Sequence, residues 1–145
     1  MTFTSVLTTA GTLIGVFYLL ATYPDYVAEL REEQEEITHH GQYPLDAAGY
    51  KRMVKLDSFI RETLRQMDDF AHPHTNVTKN NVVLSNGTII RPGEEVYTNF
   101  WHLNFDQKVQ PDLEDLEKFK AFRFVGREKQ STKCSGDYLP FGLGR

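Results

Sequence analysis

The longest unbroken apolar stretch runs from Val6 to Ala21, VLTTAGTLIGVFYLLA, and holds no charged residue. Such a stretch predicts a helix that is apolar nearly all round, as a helix enclosed by protein would be. It is shorter than the ~20 residues that cross a bilayer. No Lys or Arg precedes it and no small-residue cleavage pattern follows it, which argues against a signal peptide. A buried helix is the expectation. The alternative, a membrane anchor, draws on Gly11 and Gly15, which have the spacing of a close helix contact.

Tyr23-Pro24-Asp25 marks a break and a restart, because proline and acids suit a helix N-terminus. DYVAELREEQEEI then reads as an amphipathic helix with Tyr26, Val27, Leu30 and Ile37 on one side. Its acidic run, Glu32 to Glu36, is expected to be a solvated face. THHGQYP is a linker with Gly41 as helix stop. A third helix is predicted over Tyr50 to Met67, where Met53, Leu56, Phe59, Ile60 and Leu64 keep helical spacing.

Beyond it the period changes. AHPHT is irregular because Pro73 restricts its neighbour to extended geometry. NVVL-SNG-TII predicts a hairpin turning at Asn86-Gly87. Pro92-Gly93 turns again before a strand, EEVYTNFW. Asn104 to Glu117 is expected to mix short helix and loop, and KFKAFRF to be a short aromatic strand or turn before coil. Helices first, then a small sheet, then coil is an α+β order, mainly α.

Composition narrows the function classes. The chain has 145 residues, enough for one domain with a modest core, and carries 16 basic against 20 acidic side chains. No basic stripe is interleaved with aromatics, so nucleic acid is not an expected partner. The single cysteine, Cys134, excludes an internal disulfide. His39-His40, His72-Pro-His74 and Cys134 match no zinc spacing, and no metal site is expected from them. Asn86-Gly-Thr88 has the form of a sequon but is better explained by the hairpin turn.

Three features carry chemistry. Glu62 and Arg65 stand at i, i+3 on one helix, close enough for a charge-assisted pair. With apolar residues on both sides, that pair is expected to be partly buried and to need a further partner, for which Arg123 is the candidate. Thr8 and Thr9 lie in the apolar helix, where hydroxyls ordinarily bond back to the preceding turn. FGLGR is a glycine loop without the spacing of a nucleotide-binding fingerprint.

In order, LLATYPDYVAELREEQEEI, LDSFIRETLRQ, SNGTIIRPGEEV, KFKAFRF and PFGLGR resemble the C-terminal third of a cytochrome P-450, a haem-thiolate monooxygenase of fungal type. The resemblance implies a single incomplete domain, residues 1–145, of that mainly helical fold. It places Glu62, Arg65 and Arg123 on the family's Glu-Arg-Arg network, which braces the haem loop. It puts Phe141, Gly142, Gly144 and Arg145 at the start of that loop, and gives Thr8 the role of helping to deliver protons to dioxygen. It further implies haem b, NADPH–cytochrome P-450 reductase, a small organic substrate of fungal secondary metabolism, and the cytosolic face of the endoplasmic reticulum membrane.

Departures from the family pattern are Leu7 in place of an acid or amide, no arginine from Gln66 to Ile90, and Ala121 where many members have proline. The family's ligand cysteine would be the third residue after Arg145, so a truncated chain, inactive alone and without stable haem, is expected. The other readings are a non-catalytic binding protein on this scaffold and a small protein anchored by residues 6–21.

Overall fold

The computed structural model describes residues 2–67, 75–140 and 142. The apolar run forms α1 (Thr2–Thr22), and α2 (Asp25–Ile37) comes next with Pro24 at its N-cap position. The two helices meet at a bend of 114°. Among the described residues, no single helix is long and apolar enough to cross a membrane.

The enclosed helix expected from the pattern is enclosed along one stripe only. Gly11, Gly15 and Leu19 are buried, whereas Val6, Leu7, Leu13, Ile14, Phe17 and Tyr18 are exposed. The stripe packs on a later helix, and glycine sets the approach. A Cβ added to Gly15 would stand 3.1 Å from Met67 Sδ and 3.4 Å from Thr63 Cγ2.

The helix expected from Tyr50 to Met67 is two helices, α3 (Ala47–Arg52) and α4 (Val54–Gln66), broken at Met53 with ψ 68°. Asp46 starts α3 by accepting from the Gly49 N–H at 2.6 Å. Met53 gives α4 no side-chain cap. Instead Glu33 of α2 accepts from Lys55 N at 2.7 Å and from Leu56 N at 3.0 Å. The first N–H groups of any helix need partners outside it, and a carboxylate also suits the helix dipole. Glu33 is therefore buried, which corrects the solvated face expected for Glu32 to Glu36.

Two short antiparallel ribbons come after α4. β1 (Thr75–Val77) pairs with β4 (Glu95–Tyr97), and β2 (Val82–Val83) pairs with β3 (Ile89–Ile90). The inner ribbon is the predicted hairpin, in register Val82 to Ile90 and Val83 to Ile89. Gly87 turns it at φ 83°, and Asn86 Oδ1 accepts from Thr88 N at 3.0 Å. Thr75, expected in an irregular stretch, opens β1 opposite Tyr97. The strand expected over EEVYTNFW stops at Tyr97. Asn99 accepts from His102 N at 3.0 Å and starts α5 (Phe100–Phe105), so a helix cap overrides the strand preference of Phe100 and Trp101.

From Asp106 to Pro140 the described chain consists of turns and bends with one isolated bridge, Ser135 to Tyr138. KFKAFRF is not a strand: Ala121 to Phe124 form a turn. The main core joins Leu19, Leu30, Phe59 and Ala121, with Tyr26, Phe119 and Phe122 packed against it. A second cluster, Leu113, Leu116 and Phe124, sits beside Phe105. Full burial of a phenylalanine such as Phe59 contributes ~1.5–3 kcal/mol.

Candidate functional site

α4 positions most of the site, and it does so with polar side chains. Ser58, Arg61, Glu62, Thr63 and Arg65 are all buried, while Leu56, Ile60 and Leu64 are only half-buried. The apolar spacing that predicted the helix therefore did not mark its most enclosed residues. Among those apolar positions, Met53 and Phe59 are buried.

Glu62 is 0% exposed and forms the centre. Its Oε2 accepts from Arg65 Nε at 2.8 Å, and its Oε1 accepts from Arg65 Nη2 at 2.9 Å. Arg123 Nε donates to the same Oε1 at 3.0 Å, and Lys120 N at 3.2 Å. Glu62, Arg65 and Arg123 are thus brought together, across 61 residues for the longer link. Further guanidinium N–H groups go to backbone. Arg65 Nη1 donates to Asn104 O at 2.8 Å, and Arg65 Nη2 to Leu116 O at 2.7 Å. Arg123 donates to Glu114 O, to Asp115 O at 3.1 Å and to Lys118 O at 2.7 Å. One carboxylate and two guanidinium groups therefore fix the carbonyls of a stretch that has no regular structure of its own. Buried charges persist only when their lone pairs and protons are satisfied in this way.

Neighbouring side chains of α4 extend the hold, and these were not picked out from the sequence. Ser58 Oγ donates to Ala121 O at 2.8 Å and accepts from Phe124 N at 3.0 Å. Asp57 accepts from Ser131 N at 3.0 Å and from Ser131 Oγ at 2.6 Å. Arg61 is enclosed by the Phe124 and Tyr138 rings. Burial lowers its pKa, against the opposite pull of Tyr138, Asp137 and Asp57. Asp137 is held below the ordinary carboxylate range: partial burial pushes it up, but hydrogen bonds from Lys129 and Ser135 outweigh that push. The only sequence signal for this second set is the number of polar residues on a helix that also carries a core phenylalanine.

The other predicted residues lie elsewhere. Thr8 is on the exposed side of α1, and its carbonyl accepts from Thr12 Oγ1 at 3.1 Å. Gly142 is half-buried with φ 69°, a left-handed geometry suited to glycine. Phe141, Gly144 and Arg145 lie outside the described residues, as do His72 and His74. A cleft of about 440 Å³ opens between Ile37, Tyr43, Leu45 and Arg52, and no residue of the Glu62 network lines it.

The residues present fit a brace better than a haem site. The Arg65 and Arg123 N–H groups face protein oxygens, leaving the network closed on itself. Among the described residues no three His, Cys, Asp or Glu side chains are grouped to hold a metal. The one thiol, Cys134, is half-buried and near enough to Arg61 to influence it electrostatically.

Comparison with known proteins matches the whole chain, residues 1–145, to the family model "Cytochrome P-450". The cytochrome P-450 monooxygenase janQ of Penicillium janthinellum is 31% identical over 99% of this chain and 29% of its own length. The monooxygenase phqO of Penicillium fellutanum is 34% identical over 100% of this chain and 34% of its own. A nematode relative, putative cytochrome P-450 CYP13A4 of Caenorhabditis elegans, is 32% identical over 94% and 25%. The chain thus spans about a third or less of the length of the curated relatives it matches.

Proposed function

This chain belongs to the cytochrome P-450 family, and on that footing we propose that it supplies the bracing part of a haem-thiolate monooxygenase. The reaction is the family's: one atom of dioxygen enters a small organic substrate, of the kind met in fungal secondary metabolism, with two electrons from NADPH–cytochrome P-450 reductase. The endoplasmic reticulum membrane, cytosolic side, is the location that goes with this reading. Haem b, if bound through a cysteine thiolate, would supply oxygen activation, since thiolate ligation favours O–O cleavage.

This chain's own residues act around that group. Glu62 holds Arg65 and Arg123, and through them the backbone from Asn104 to Lys118. Phe141, Gly142, Gly144 and Arg145 open the loop that this brace serves. Thr8 holds a hydroxyl proton on α1, and Leu7 before it has no acid or amide to renew that proton. The 145 residues contain one cysteine, Cys134, seven positions before Phe141.

The observation that carries the reading is the fully buried Glu62 carboxylate shared by two arginines. The test uses haem reconstitution and a reduced carbon-monoxide spectrum. The 145-residue chain is expected to give no thiolate-type Soret band. A chimera in which residues 1–145 replace the matching segment of phqO is expected to give one and to lose it with Glu62→Ala. A folded chimera that takes up no haem overturns the reading. A non-catalytic binding protein on this scaffold is the second reading. Its support is that the Arg65 and Arg123 donors of the brace are taken up by main-chain carbonyls.

A further inference from the structure

A second hold on the terminal coil is built on the adjoining side of α4. Asp57 and Arg61 stand at i, i+4, so their side chains leave the same helix face. Both reach residues 130–138, a stretch the Glu62 network does not touch. Asp57 takes both polar hydrogens of Ser131, from N and from Oγ. Arg61 Nη1 donates to Gln130 O at 2.8 Å. The Arg61 guanidinium carbon lies 3.6 Å from the Tyr138 ring centroid and 4.7 Å from that of Phe124. Tyr138 is itself tied back, its hydroxyl donating to Ser131 O at 3.1 Å.

One detail of Arg61 is unusual. The residue is 2% exposed, and its Nε is buried with no hydrogen-bond partner. A buried donor is normally paired, because leaving it unpaired forfeits its hydration. The guanidinium carbon lies over both the Phe124 and Tyr138 rings, which explains why the group is nevertheless held there: ring faces attract a desolvated cation, and a planar guanidinium can stack on them where a lysine ammonium cannot. Charge alone, or the single bond to Gln130, does not call for that geometry.

We infer that Arg61 is a positioning residue, a flat cationic clamp between Phe124 and Tyr138 that sets where the chain leaves the core toward Gly142. Its functional consequence rests on the monooxygenase reading, since that reading makes the segment after Pro140 the haem loop. The clamp itself is separate from the Glu-Arg-Arg network and holds a different stretch of backbone.

The test is made on the 145-residue chain. The Arg61 Nε–H proton is expected upfield of its position in free arginine and slow to exchange with water. Arg61→Lys keeps the charge and a donor for Gln130 but loses the plane. In that variant the Ser131, Ser135 and Tyr138 amides are expected to exchange about tenfold faster, with Glu62 and Lys120 unchanged. Tyr138→Leu, removing one jaw, is expected to give the same pattern. Wild-type exchange in the lysine variant overturns the clamp, as does equal acceleration at Lys120. Loss of cooperative folding in both variants also overturns it, because Arg61 would then serve global stability. A flat exchange pattern defeats the clamp and leaves the monooxygenase reading standing, whereas a folded chimera without haem does the reverse.

Discussion

α1 and α4 invert the usual relation between composition and burial. α1 carries no charge from Val6 to Thr22, yet Val6, Leu7, Leu13, Ile14, Phe17 and Tyr18 are exposed. α4 carries Lys55, Asp57, Arg61, Glu62 and Arg65, yet the last three are at most 2% exposed. Apolar character permits burial but does not require it, because the surface of a folded chain is always partly apolar. Charged character forbids burial only while hydrogen-bonding capacity goes unused. On α4 nearly all of it is used: Arg61 and Arg65 donate to carbonyls of the coil and its approach, while Asp57 and Glu62 accept from N–H and O–H groups.

The most severe challenge to this contrast is Glu62→Ala. It leaves two enclosed guanidinium groups without their anion, and a loss of about 3–5 kcal/mol in urea unfolding is expected. A loss below about 1 kcal/mol, the worth of an exposed pair, would mean that the buried network is not sustained by charge pairing. Gly15→Val tests the seam between the helices. With Met67 Sδ at 3.1 Å from the new Cβ, overpacking of about 1–3 kcal/mol is expected, read from the same denaturant midpoint. Glu33→Ala removes the remote cap of α4 and is expected to cost about 0.5–2 kcal/mol, with faster amide exchange at Lys55 and Leu56. At the small end, Ile14→Ser on the exposed side of α1 is expected to stay within about 0.5 kcal/mol of the parent. A large loss there would show that this face is covered in solution.

The same contrast explains what could be read without coordinates. α2, the helical character of α4 and the Asn86-Gly87 turn come from local rules, and the structure contains all three. The helix break at Met53 does not, because the cap comes from Glu33, on a different helix. β1 had no local signal either, since its partner β4 lies beyond the whole inner hairpin. At the candidate site, the i, i+3 spacing offered the Glu62–Arg65 pair, and the family resemblance placed Arg123 with it. Asp57, Ser58 and Arg61 could not be named, because their partners lie 63 to 74 residues away on a coil with no hydrophobic period. The side of α1 that meets protein was marked by Gly11 and Gly15, whose close-contact spacing stands in an otherwise evenly apolar run and which the structure buries.

The brace also has a consequence for tolerance to mutation. Arg65 and Arg123 grip residues 104, 114, 115, 116 and 118 through main-chain oxygen. Every amino acid provides that oxygen, so the arginines read the path of the coil and are blind to most of its letters. The side chains of Glu114 and Lys118 are exposed to solvent, and their identity can drift while the grip persists. Asp115, with φ 49°, is less free, because few side chains accept that backbone geometry. Such a segment can diversify its surface without loosening the part of the molecule it closes.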